Sequence, residues 1–309
     1  MPVRRPWPSQ RVAFRATSLR RFLLRGLLVI AMSCLAVVPA SAAKRIVIAG
    51  GDLTEIAFAL GAGQRVVGVD TTSTYPATVG ELPSIGYVRT LSPEGVLSLR
   101  PEQVLASHFA GPEATLSRLR AAGVSVLQAP APRGGAADSV PAKIRFVGEA
   151  LGQEAAAERL VSTFEAELAE VREHTAAYTD GPRVLFVLSA ESGPMIIGGK
   201  GSVAEAMIRM AGGEPLTGGV TGYRPLSLEA VMALQPDIVL MMAEQLENRS
   251  KESVLQRPDL RETPAGRQGR LVAMEGMLLL GYGPRTPFAI GKLHEALRAS
   301  MATAENEGP

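Results

Sequence analysis

The sequence predicts an α/β protein of two similar lobes joined by a long helix. Three observations carry that expectation: a helix-to-strand corner that occurs twice, apolar strands alternating with helices around each copy, and more than thirty residues of helical spacing between them. The two corners are LSPEGVLSLRPEQVLAS at 91–107 and LSLEAVMALQPDIVLMM at 226–242. Leu, Ser, Glu, Val, Leu, Pro, Val and Leu recur in the same order, and Gly86-Tyr87 and Gly222-Tyr223 precede the copies. Ser, Glu and Pro are not dictated by core packing, so their recurrence indicates duplicated units and a cleft between them.

The elements follow in order. Arg45 to Ala49 reads as a buried strand followed by Gly50-Gly51, Thr54 to Leu60 as a helix stopped by Gly61, and Arg65 to Val69 as a second strand. Thr71 to Ile85 is a polar, proline-containing loop leading to Tyr87. Helix 92–99, strand 103–107, helix 112–122 and strand 124–127 complete a first lobe over residues 44–140. Such alternation implies a mostly parallel sheet covered on both faces. Ile144, Val147, Leu151, Val161, Phe164, Leu168 and Val171 then keep mostly helical spacing, predicting one connecting helix over 141–176. The second lobe, 177–309, restarts with a strand at 183–188. A Gly-rich turn at 198–201, helix 202–211, strands 237–242 and 270–274, a helix near 252–257 and a closing helix 286–299 follow.

Residues 1–43 read as an export signal, and fold reasoning starts after them. Seven arginines and no acid form a basic leader, Leu27 to Val38 is apolar, and Ala40-Ser41-Ala42 is a small-residue cleavage site, so cleavage is expected near Ala42/Ala43. The apolar run ends at Pro39 and is short for a membrane span. Ser18-Leu19-Arg20-Arg21-Phe22-Leu23 is similar to a twin-arginine signal but departs from its spacing, so the export route stays open. The sole cysteine, Cys34, lies inside this segment, and the remaining chain has no disulfide and no cysteine-ligated metal. Removing the segment also reverses the charge, from +2 to 25 basic against 30 acidic residues. An acidic surface argues against nucleic acid as a partner.

Spacing dismisses several catalytic motifs. Gly198-Gly199-Lys200-Gly201-Ser202 has Gly where a phosphate loop needs Ser or Thr after Lys. Gly61-Ala62-Gly63 lacks the third glycine of a dinucleotide fingerprint, since Val66 stands there. No Gly-x-Ser-x-Gly elbow and no His-Glu-x-x-His occurs. Of the three histidines, His108, His174 and His294, the last two fall on polar helix stretches and read as solvated or capping. No enzyme activity is expected.

The signal, the two lobes, the spine and the paired LS-x-E-x-V-x-x-L-x-P corners resemble the substrate-binding proteins of ABC importers for haem, cobalamin and ferric siderophores. Within that group Ile85-Gly86-Tyr87-Val88-Arg89-Thr90-Leu91-Ser92-Pro93-Glu94-Gly95-Val96 is similar to periplasmic haem-binding proteins, and Leu279 to Pro287 is similar to a second family stretch. The resemblance implies two Rossmann-like lobes joined by a long helix, the class III periplasmic binding protein arrangement. It implies Tyr87 as axial haem ligand, Glu94 and Glu229 as docking contacts to the permease, and an upstream outer-membrane haem receptor system. Arg89, Met195, Tyr223, Arg224, Tyr282 and Arg285 are the expected haem pocket: Arg89 as a cation beside Tyr87, Arg224 or Arg285 for propionates, and the others as apolar walls. Some relatives offer a second-lobe His as another ligand. Ser189-Ala190-Glu191-Ser192 holds none here, so five-coordinate iron or a weak sixth ligand is expected. A siderophore or cobalamin carrier of the same fold is the alternative.

Overall fold

The computed structural model describes residues 44–131, 137–178, 180–191 and 193–305. The expected export segment, 1–43, lies outside them. The first lobe begins with β1 (Ile46–Ala49) and passes through α1 (Gly51–Ala59) to β2 (Val66–Val69). α2 (Pro93–Ser98), β3 (Gln103–Ala106), α3 (Glu113–Ala121) and β4 (Ser125–Gln128) follow. All pairings are parallel and the order is β2-β1-β3-β4. Parallel neighbours need crossovers, which cover both faces of the sheet. The side chains alternate accordingly: Ile46 and Ile48 enter one core, Val47 and Ala49 another.

The spine is two helices, α4 (Val140–Leu151) and α5 (Glu154–Ala176), which corrects the single helix expected over 141–176. Gly152 adopts a left-handed φ of 66°, and Gln153 N–H reaches the Gly148 carbonyl at 2.8 Å, a glycine-terminated helix end. The two helices pack against each other and turn Ile144, Val147, Phe164 and Leu168 into the same core. Apolar periodicity reports which face is buried and does not separate one helix from two that keep that face inward, so Gly152 alone carried the alternative of a broken pair.

In the second lobe β5 (Arg183–Ser189) has β9 (Ile238–Met242) and then β10 (Leu271–Met274) parallel on one side. On the other, β6 (Met195–Gly198) and β8 (Tyr223–Leu226) run antiparallel, and β7 (Glu214–Pro215) adds a short parallel pairing to β5. Neither β6 nor β8 was expected, because Pro194, Gly198-Gly199 and Pro225 break their strand pattern. The helices are α6 (Val203–Met210), α7 (Leu228–Leu234), α8 (Lys251–Leu255), α9 (Pro264–Arg267), α10 (Gly276–Leu280) and α11 (Thr286–Glu305).

From Lys44 onward the chain is one compact unit. One hydrophobic core explains this, since it joins Ile46, Ile48 and Ile56 of the first lobe, Ile144 and Phe164 of the spine, and Val184, Phe186 and Leu293 of the second. Each sheet keeps a private core on its other face.

The duplication holds to single atoms. Arg100 and Gln235, equivalent in the two corners, are both non-glycine residues with left-handed backbone, φ 46° and 45°. Beside them Arg45 donates to the Leu99 and Arg100 carbonyls at 2.8 and 3.3 Å, and Arg183 donates to those of Leu234 and Gln235 at 2.7 and 3.1 Å. A guanidinium from the first strand of each lobe thus satisfies carbonyls that the ending helix leaves free.

Candidate functional site between the lobes

In parallel α/β sheets the carboxyl ends of the strands face the ligand crevice. Tyr87 stands at that end of the first lobe. Gly86 has a φ of +86°, and its carbonyl accepts from Thr71 N–H at 3.0 Å. Val88 is buried, its carbonyl accepts from Gly111 N–H at 2.9 Å, and Leu91 N–H returns to the Gly111 carbonyl at 2.9 Å. The turn is therefore stitched to the loops after β2 and β3. Tyr87 remains 46% exposed between these buried anchors. Arg89, two residues on, is exposed and lays its guanidinium 4.7 Å from the Phe109 ring centre.

Two ion pairs that the sequence did not disclose link the first lobe to the spine and to the second lobe. Lys143 of α4 is buried and binds Asp52 Oδ2 at 2.8 Å, the Tyr282 carbonyl at 2.7 Å and the Gly281 carbonyl at 3.4 Å. Asp52 Oδ1 accepts from Ser107 Oγ at 2.6 Å. One ammonium thus ties the spine to both lobes. The only outward sign was a lysine on the apolar face shared by Val140, Ile144 and Val147. Alongside, Arg285 Nε donates to Glu55 Oε2 at 3.1 Å, with a second guanidinium bond to the same carboxylate. Burial pushes the Glu55 carboxyl up, against the pull of Arg285. Tyr75 covers the Arg285 guanidinium at 3.8 Å, and Thr74 bonds to Glu275 at 3.0 Å.

These contacts revise part of the expected pocket. Arg285 is held between lobes by Glu55 and is not a free cation for a carboxylate ligand. Met195 is fully buried in the private core of the second lobe, because β6 turns it inward beside Leu226. Tyr282 is also buried, with φ +50° and its hydroxyl donating to the Val203 carbonyl at 2.9 Å. Both are packing residues and not cleft walls. Tyr223 is half-buried against Phe186, and its hydroxyl makes no well-formed hydrogen bond, approaching only the backbone of Ala204. Burial pushes that phenol up to about 12. Arg224 is exposed on β8. His294, expected to be solvated, is buried with Nδ1 2.9 Å from the Ala211 carbonyl.

Glu94 and Glu229 occupy matching places in the first turns of α2 and α7. Ser92 and Ser227 cap these helices through the amides of Gly95 and Ala230 at 3.2 and 3.3 Å, and both carboxylates are exposed. The Glu94 carboxyl is held below its usual value by its own backbone N–H, by the Ser92 hydroxyl at 2.9 Å and by Arg118. Among the described residues no cluster of three or more His, Cys, Asp or Glu forms a metal site.

Two α/β lobes joined by a helical spine, with stitched loops at the carboxyl ends of the strands, give the architecture of a binding protein. The chain belongs to the periplasmic binding protein family, whose model matches residues 46–277. Among solved structures it resembles the periplasmic heme-binding protein RhuT from Roseiflexus sp. RS-1, at 41% identity and TM-score 0.78, covering 84% of this chain and 99% of that one. A periplasmic heme-binding protein from Pseudomonas aeruginosa is 34% identical with TM-score 0.75, covering 83% and 93%. The ABC transporter substrate-binding lipoprotein YvrC of Bacillus subtilis is 27% identical over 257 residues, 82% of this chain and 80% of the relative. A vitamin B12-binding protein of Pectobacterium atrosepticum is 25% identical over 203 residues, 64% and 71% of the two chains.

Proposed function

We propose that this protein binds haem between its lobes, with the Tyr87 phenolate as axial iron ligand, and delivers it to an ABC importer. The observation that carries this is Tyr87 itself, a half-exposed phenol on a rigid turn at the crevice end of the sheet. Phenolate is an established haem ligand. Arg89 and Arg224, the exposed cations of the expected pocket, suit the propionates. Burial of the porphyrin would supply affinity at roughly 25 cal/mol per Å² of apolar area before the costs of association. The haem-binding proteins of similar structure support the same reading.

Export to the periplasm, with cleavage near Ala42/Ala43, places the protein where such cargo arrives from an outer-membrane receptor. Glu94 and Glu229 then offer one exposed carboxylate per lobe to cationic partners on the permease of the permease–ATPase complex. Exposed pairs contribute little to stability but set orientation and encounter rate. The vitamin B12-binding relative favours cobalamin as a second reading. Titration with haemin and with cyanocobalamin separates the two. Haemin should bind with a ferric phenolate spectrum that Tyr87→Phe abolishes, and cyanocobalamin should not. Unchanged haemin affinity and spectrum in Tyr87→Phe would remove the assignment.

A further inference from the structure

One potential metal donor at this rim belongs to no expected site. His108 follows β3 at the carboxyl end of the first-lobe sheet and is exposed. Its main chain is fixed, because Gln128 Nε2 donates to the His108 and Ser107 carbonyls at 3.3 Å each. Its ring makes no hydrogen bond among the described residues, but stands edge-on to Phe109 with centres 4.8 Å apart and planes at 86°. Phe109 carries the Arg89 guanidinium on its own ring, 4.7 Å from the centre. The loop bearing His108 and the turn bearing Tyr87 are laced together through Gly111, at 2.9 Å in both directions. Imidazole, aromatic ring and guanidinium therefore stand in a row, on a loop bonded to the turn that carries Tyr87.

A neutral imidazole nitrogen is a good donor to haem iron. Tyr87 and His108 both come from loops at the carboxyl end of the first-lobe sheet, so they would approach a haem in the cleft from the same side. We infer that His108 is a second iron donor in the first lobe, which takes the haem iron in a register shifted along the rim from the one centred on Tyr87. Phe109, which stands between the His108 ring and the Arg89 guanidinium, would offer the porphyrin an aromatic surface in that register, and Arg89 would serve a propionate. A haem can then exchange phenolate for imidazole without leaving the first lobe.

This inference rests on the haem reading, and the experiment separates the two. Full-length secreted protein is titrated with haemin as wild type, Tyr87→Phe, Tyr87→Phe with His108→Ala, and Tyr87→Phe with His108→Gln, with circular dichroism verifying each fold. Tyr87→Phe is expected to keep weaker haemin binding with an imidazole-type ferric spectrum. Either His108 substitution should then lower the remaining affinity by at least about tenfold, the scale of losing a group that matters to a metal site, and erase that spectrum. Equal affinity and identical spectra for Tyr87→Phe and both double variants would overturn the inference while leaving Tyr87 as ligand. Absence of haemin binding by the wild type would overturn both.

Discussion

Lys143 puts a charge where the helix pattern calls for an apolar side chain, and the structure compensates it with one carboxylate and two carbonyls. Removing one member of a buried pair costs about 3–5 kcal/mol, because the other is left uncompensated. Lys143→Met should lower unfolding stability by that order in a denaturant titration, and adding Asp52→Asn should recover part of the loss. The unpaired hydroxyl of Tyr223 gives the opposite expectation. Its phenol is pushed up to about 12 by burial, so the native state holds this proton more tightly than the unfolded chain. This group therefore leaves stability independent of pH below ~10 and lowers it as pH rises from ~10 towards 12, where the unfolded chain ionises first. Tyr223→Phe should flatten this alkaline limb and leave neutral stability equal or higher, since a buried unpaired group costs about 1–3 kcal/mol. A steeper limb in the variant would contradict the reading.

The elements show what a sequence can disclose. The duplicated corner was legible because Ser, Glu and Pro sit where packing does not choose them, and α2 and α7 carry matching serine caps. The left-handed Arg100 and Gln235 were not, because no glycine marks them. Relieving a left-handed non-glycine gains about 1–2 kcal/mol and the added chain entropy takes back about 0.5–1, so Gln235→Gly should raise the melting temperature slightly. The strands β6 and β8 were hidden by glycine and proline, while the break at Gly152 was marked by its glycine but outweighed by a face that stays apolar through the turn. The Gly86-Tyr87 pair before the first corner falls on a turn in the structure, with Gly86 at a φ of +86°. Arg285, Met195 and Tyr282 were misjudged because a sequence does not show which side chains a neighbouring element has already engaged. For Glu94 and Glu229, paired replacement by Ala should leave haemin binding intact and abolish cargo-dependent stimulation of the importer's ATPase in vesicles. Full stimulation by the double variant would end the docking assignment.

At the scale of the whole molecule, direct bonds between the lobes, and not a single long helix, oppose their relative motion. The spine is interrupted, yet Lys143, the Glu55–Arg285 pair and the Thr74–Glu275 bond tie the lobes directly. Hinge closure needs residues that absorb rotation, and these bonds resist it. Small-angle scattering should therefore change little on addition of haemin, and a marked contraction would show that the ties open. The shared core has a further meaning for the ancestry of the chain. A duplicated unit ordinarily remains a module, able to be cut out, exchanged or made alone. Here Ile46 and Ile48 from one copy and Val184 and Phe186 from the other are buried in a common interior with the spine. Either half made alone would present a broad apolar face to water, the kind of surface that drives aggregation. The two copies have kept their likeness in outline and surrendered their independence in folding.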